Sequence, residues 1–116
     1  MNLNGKVFKA LSNSDNGEVG EQTLFYYCQT DDIISADYYG GEIAKGNLIG
    51  KELQSGEFSF YYHHINVNGE LKTGKCLSKA TALDDGRLKL FEQWQWLCDD
   101  MSSGTSELIE VENVAK

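Results

Sequence analysis

Proline is absent from the 116 residues, and arginine occurs once, as Arg87. No run is therefore broken by a residue that cannot donate to a strand ladder. Basic residues are few: 10 Lys and Arg stand against 18 Asp and Glu, for a net charge of −8. Such a chain repels a phosphate backbone, so nucleic acid is not an expected partner. No apolar run approaches the roughly 18 residues that span a bilayer, so no membrane partner is expected either. The opening segment Met1–Lys6 lacks the apolar stretch of a secretory leader. Cysteine is sparse and odd in number. Cys28, Cys76 and Cys98 lie far apart, which fits free thiols in a cytoplasmic protein better than a disulfide framework. Neither G-x-x-x-x-G-K-[ST] nor G-x-G-x-x-G occurs, and neither C-x-x-C nor H-E-x-x-H, so no cofactor and no metal are expected.

What the chain does have is turn residues and rings. It carries 12 Gly, and 11% of its residues are aromatic. Asp15-Asn16-Gly17, Asp31-Asp32, Gly40-Gly41, Ser55-Gly56, Asn68-Gly69 and Asp85-Gly86 read as turns, because Asx and Gly tolerate the positive φ that tight hairpins need. Between them lie segments rich in Tyr, Phe, Trp, Ile, Val and Thr, which suit a pleated, half-buried surface. In Phe58–His64, the residues Phe58, Phe60, Tyr62 and His64 share one parity. In Leu88–Trp96, so do Leu88, Leu90, Glu92, Trp94 and Trp96. That period of two predicts strands.

The predicted strands are 5–13, 18–30, 33–39, 42–53, 57–66, 70–82, 87–97 and 105–112. A helix over 108–111 is the rival for the last. No segment reads as a crossover helix, so the sheet is expected to be antiparallel with hairpin connections. The fold class is all-β: an up-and-down meander of about eight strands closing into a small barrel, one domain over 1–116. Closure removes exposed edges and leaves an interior for side chains or one small ligand. An open rolled sheet is the alternative. Gly74, Cys76, Ser78 and Ala80 share a face and are small, so they can receive rings from neighbouring strands or leave a cavity. Lys45-Gly46-Asn47 reads as a bulge or a bend at a barrel corner.

Inward polar residues are the informative ones, since burial without a partner costs about 1–3 kcal/mol. Glu92 lies between Leu90 and Trp94 on an apolar face, and His64 follows Phe60 and Tyr62 on another. In a meander their strands flank the one that holds Cys76 and Ser78. Tyr38, Tyr62, His64, Cys76, Ser78, Glu92 and Trp94 are therefore the candidate ligand-binding set. Rings would supply contact area, and Glu92 with His64 would orient the ligand. The same pair permits a proton-transfer enzyme as a second reading. A satisfied buried network is the plain alternative to both. Cys76 would serve as a nucleophile only beside a base in an electropositive setting. His63 and His64 point to opposite faces of a strand, so they make a poor metal pair. The polar run Ser12–Gly17 fits a turn or a donor-rich barrel mouth. Self-association is a third possibility, through Tyr61, Ile65 and Val67, or through Tyr27 and Tyr39.

Several motifs carry a family likeness. They are Ser12-Asn13-Ser14, Asn16-Gly17-Glu18, Tyr38-Tyr39-Gly40-Gly41-Glu42-Ile43, Gly46-Asn47-Leu48-Ile49-Gly50, Tyr62-His63-His64-Ile65-Asn66, Thr73-Gly74-Lys75-Cys76 and Glu92-Gln93-Trp94-Gln95-Trp96. Over nearly the whole chain they resemble a set of short bacterial all-β proteins that carry the label N-acetylglutamate synthase. The meander itself resembles lipocalin and avidin-like barrels. The label implies an acetyltransferase whose [RQ]-x-x-G-x-[GA] loop holds acetyl-CoA at a helix start. No such loop is present here, so no catalytic residue carries over.

Overall fold

A computed structural model describes residues 1–112. Eight strands run in chain order: β1 Val7–Asn13, β2 Leu24–Thr30, β3 Ile33–Gly40, β4 Ile43–Glu52, β5 Phe58–Asn66, β6 Leu71–Ala82, β7 Leu88–Trp96 and β8 Ser103–Val111. Each pairs antiparallel with the next, and β1 pairs with β8, so the sheet closes into a barrel. The open rolled sheet is thereby excluded, and 103–111 is strand rather than helix. Gly40, Gly41, Gly56, Gly69, Gly86 and Asp31 all have positive φ, as the hairpin reading of those turns requires.

Two predicted boundaries need correction. β1 starts at Val7 rather than at residue 5, and β2 starts at Leu24 rather than at 18. Residues 14–23 instead cross one mouth of the barrel. Gly20 and Thr23 form a turn there, with the Thr23 amide donating to the Gly20 carbonyl at 3.0 Å. Thr23 Oγ1 ties that turn to the Gly40 carbonyl at 3.0 Å. The alternation of Val19 with polar neighbours looked strand-like, but Gly20 and the turn break the ladder.

Parity holds along most strands. Phe25 and Tyr27 of β2, Ile34, Ala36 and Tyr38 of β3, Phe58, Phe60 and His64 of β5, Cys76 and Ser78 of β6, and the even-numbered series Leu88 to Trp96 of β7 are all buried. Tyr27 thus faces inward, which corrects its placement on a surface for self-association. Its ring meets Phe8 edge-on at 5.4 Å. The outward neighbour Tyr26 is the residue that stacks on Tyr39, at 5.5 Å. Tyr61, Ile65 and Val67 are exposed.

The register shifts at three places, one of them between Tyr38 and Gly40 where β3 meets β4. The β1–β8 register shifts between Ala10 and Ser12. Ala10 faces in, Leu11 and Ser12 face out, and Asn13 returns to the interior side. The β4–β5 register shifts between Ile43 and Lys45, one to three residues before the Gly46 that was expected to mark it. Gly46 pairs in register with Tyr38 and with His64. Its role is space: a Cβ there would lie 2.6 Å from the Tyr38 ring. Gly74 serves Tyr62 in the same way, and Gly104 serves Trp94.

The two ends of the barrel differ. Leu3 folds over one end, where Phe8, Ile34, Phe58, Leu90 and Leu108 pack as an apolar plug. The other end holds the polar interior residues and is crossed by 14–23. Burial of these apolar side chains favours closure, at ~25 cal/mol per Å2 of apolar surface removed from water. The plug leaves chemistry to the opposite half.

Candidate functional site

A cavity of about 50 Å3 lies in that half. Tyr38, Tyr62, His64, Cys76, Glu92 and Trp94 from the sequence-derived set all border it, together with Phe25, Phe60, Trp96, Asn13, Ser106 and the mouth residues Gly17, Glu18 and Val19. Ser78 does not border it. It stands one step deeper, fully buried and paired in register with Glu92. The reason is lateral order. Ser78, Glu92 and Ser106 occupy one level on β6, β7 and β8. Cys76, Trp94 and Gly104 occupy the level above, nearer the mouth.

The rings form the chamber wall. Trp94 and Trp96 lie 5.7 Å apart, edge to face. Trp96 also meets Tyr62 at 5.8 Å and His64 at 5.9 Å. Phe25 stacks on Tyr38 at 4.9 Å. Such pairs each add about 0.5–1.5 kcal/mol beyond area burial. Glycines make room for three of these rings: a Cβ at Gly46, Gly74 or Gly104 would lie 2.2–2.6 Å from the side chain of Tyr38, Tyr62 or Trp94.

A hydrogen-bonded chain crosses the mouth. Tyr38 Oη and His64 Nδ1 are 2.9 Å apart, and His64 Nε2 lies 2.7 Å from Glu18 Oε1. An ionised Glu18 only accepts, so Nε2 carries the proton, and Nδ1 accepts from the Tyr38 hydroxyl. This tautomer is inferred from the network. Burial pushes the His64 pKa below its ordinary value, with the Glu18 hydrogen bond opposing. His64 is thus neutral at pH 7. Asn66 Nδ2 donates to Glu18 Oε2 at 3.1 Å and to Glu70 Oε1 at 2.9 Å. Asn13 Oδ1 accepts from Trp94 Nε1 at 3.2 Å, while its Nδ2 donates to the Val19 carbonyl at 2.9 Å. Trp96 Nε1 donates to the Asn16 carbonyl at 2.9 Å. The 14–23 segment is therefore fastened by the chamber's own polar groups.

Glu92 is built differently. Only 6% of it is exposed. Ser106 Oγ donates to Oε1 at 3.2 Å, and Oε2 has no partner among the described residues. Ser78 also draws the carboxyl pKa down, yet its Oγ closes no hydrogen bond of ordinary geometry and is likewise unpartnered. The Tyr27 hydroxyl is a third unpartnered buried group. Burial dominates, and it pushes the Glu92 pKa from 4.5 to about 7.

No hydrogen bond joins Glu92 to His64. Both border the same cavity, but both imidazole nitrogens are taken by Tyr38 and Glu18. Cys76 is buried, and desolvation pushes its thiol pKa well up, the opposite of an activated nucleophile. His63 points outward from β5. Among the described residues no three His, Cys, Asp or Glu side chains converge as metal ligands would.

Sequence reasoning missed Glu18, Asn13 and Asn66 as members of the network. Glu18 is expected in strand 18–30, and Asn13 at the end of strand 5–13, within the polar run Ser12–Gly17. The dense Asn-Gly-Glu run near the mouth was the available signal. Asn13 faces in only because of the bulge at Leu11, which parity cannot foresee.

A family model described as "Avidin-like protein" matches residues 1–111. Comparison with the curated proteins found no match, and neither did comparison with the solved structures. The N-acetylglutamate synthase label gains no support. The described residues contain no helix whose N-terminus could hold a pyrophosphate.

Proposed function

The chain belongs to the avidin-like family, and on that premise we propose that it binds one compact, partly apolar small molecule in the ring-lined chamber under residues 14–23. The observation that carries this reading is Glu92: a buried carboxyl bordering a cavity, one oxygen of which has no partner. An unmet acceptor of this kind costs about 1–3 kcal/mol, and a bound donor recovers it. The family likeness supports a small-molecule ligand. The rings of Tyr62, Trp94 and Trp96 would supply contact, and the Glu18–His64–Tyr38 chain would close over the ligand.

At about 50 Å3 the cavity is far below the roughly 300 Å3 of ordinary ligand pockets. A ligand of more than a few heavy atoms therefore enters only if Glu18 and Val19 move outward. Trp94 and Trp96 report directly on occupancy. The test is tryptophan emission during titration with a chemically broad panel that includes biotin, on the natural chain and on Trp94→Phe. A saturable change that weakens in the variant is expected. Emission unmoved by every compound, with crystals soaked in the panel showing only water in the chamber, would sink the reading. A cytoplasmic setting, drawn from the three free thiols, belongs to the same proposal, and cell fractionation checks it.

A further inference from the structure

The lining of the chamber is one-sided in charge. Its walls present six aromatic rings, whose faces carry negative quadrupole potential. Neither Lys nor Arg is among the residues that border it. His64 is held in its neutral form with both nitrogens engaged. Glu92 lies among these rings with Oε2 unpartnered, and Ser78 Oγ beside it is unpartnered too. A carboxylate walled by aromatic faces, with no cation supplied by the protein, is the chemistry that recognises an ammonium group. The net charge of −8 concentrates cations around the molecule and repels anions.

We propose that the chamber takes a compact organic cation, a protonated alkylamine, whose ammonium donates to Glu92 Oε2 while its alkyl part packs on Trp94 and Tyr62. This rests on the small-molecule reading above and names the ligand's class. Size agrees: about 50 Å3 accommodates about four waters at ~12 Å3 each, which is the scale of a four-heavy-atom amine with the mouth still closed.

The protons balance simply. The amine stays protonated, no bond is made or broken, and Glu92 must be ionised in the complex. In the free protein burial holds Glu92 at about 7, so binding at lower pH releases a proton from it to solvent. Affinity therefore rises with pH through about 7 and levels off above it. The other titratable groups facing Glu92 are Tyr27 on β2, Tyr38 on β3, Tyr62 on β5 and Cys76 on β6, all pushed upward by burial and neutral across this range. At the mouth stand His64, pushed downward, and Glu18, which faces Tyr38 and His64.

The experiment compares propylammonium, 1-propanol and propionate by calorimetry at pH 6, 7 and 8, on the natural chain and on Glu92→Gln. Propylammonium is expected to bind at least roughly tenfold tighter than propanol, to lose that preference in the variant, and to bind more tightly at pH 8 than at pH 6. Gln is the isostere of a protonated Glu, and a thermal melt confirms that the variant folds. The pH series on the natural chain needs no variant. Propanol or propionate binding as well as the amine, a preference that survives Glu92→Gln, a flat pH series, or no propylammonium binding each overturns the proposal. Those results leave the small-molecule reading standing, because the broader panel decides it separately.

Discussion

Replacing Glu92 by Gln should change the pH dependence of stability more than stability itself. Folding moves this carboxyl from its ordinary 4.5 to about 7. A raised folded pKa means that the folded state binds the proton more tightly than the unfolded chain does. Stability from this group is therefore greatest below pH 4.5 and is lost as pH rises to about 7. At ~1.4 kcal/mol per pH unit the loss is about 3 kcal/mol. Gln carries no charge at any pH. The two proteins should be equally stable near pH 4.5, and by pH 8 the variant should be more stable by about 3 kcal/mol. Other groups titrate in the same range. His64, with its pKa lowered by burial, loses stability as pH falls through its unfolded value, which opposes Glu92. Asp85, Asp99 and Asp100 have lowered pKa values and lose stability only in stronger acid. All of these are common to both chains and cancel in the difference. Urea unfolding followed by tryptophan emission at several pH values from 4.5 to 8 measures that difference. Two parallel curves would refute the claim that Glu92 is buried without adequate partners.

Further expectations follow from the packing and the mouth. Gly46→Ala places a Cβ 2.6 Å from the Tyr38 ring and 2.9 Å from His64 Cβ. Both neighbours are buried and hydrogen-bonded, so a loss of about 2–3 kcal/mol is expected, or roughly 10 °C in Tm. Gly20→Ala, with nothing within 4 Å, is the control and should leave Tm nearly unmoved. In Glu18→Ala the His64 pKa should fall further, since the Glu18 hydrogen bond raises it; NMR titration of the imidazole gives the value, and an upward move contradicts the assigned chain. Under a thiol reagent the exposed Cys28 should react first and the buried Cys76 only on unfolding, and mass spectrometry of the labelled protein reads the order.

Much of the candidate site was legible because a strand has a period of two. Phe60, Tyr62 and His64, and likewise Glu92, Trp94 and Trp96, share a face in any sheet that contains them. Turn chemistry at Gly40-Gly41, Asn68-Gly69 and Asp85-Gly86 then brings β5, β6 and β7 side by side. Glu92 and His64 were expected to border one cavity, and they do. Their coupling was not legible. His64 hydrogen-bonds to a residue 46 positions away, on a segment whose own pattern resembles a strand.

The amino-acid pattern by itself determined the strands and their antiparallel order, because alternation and turn residues act locally and repeat along the chain; closure, with the open rolled sheet as its rival, was decided by the pairing of β1 with β8. Only the tertiary structure decided which polar groups are paired. Bulges at Leu11 and near Lys45 shift parity by one residue, and that turns Asn13 and Ile43 inward. The crossing of 14–23 over the mouth gives Glu18 to His64 and leaves Glu92 without a full set of donors. Such pairings depend on distances between elements far apart in sequence, and no local periodicity contains them.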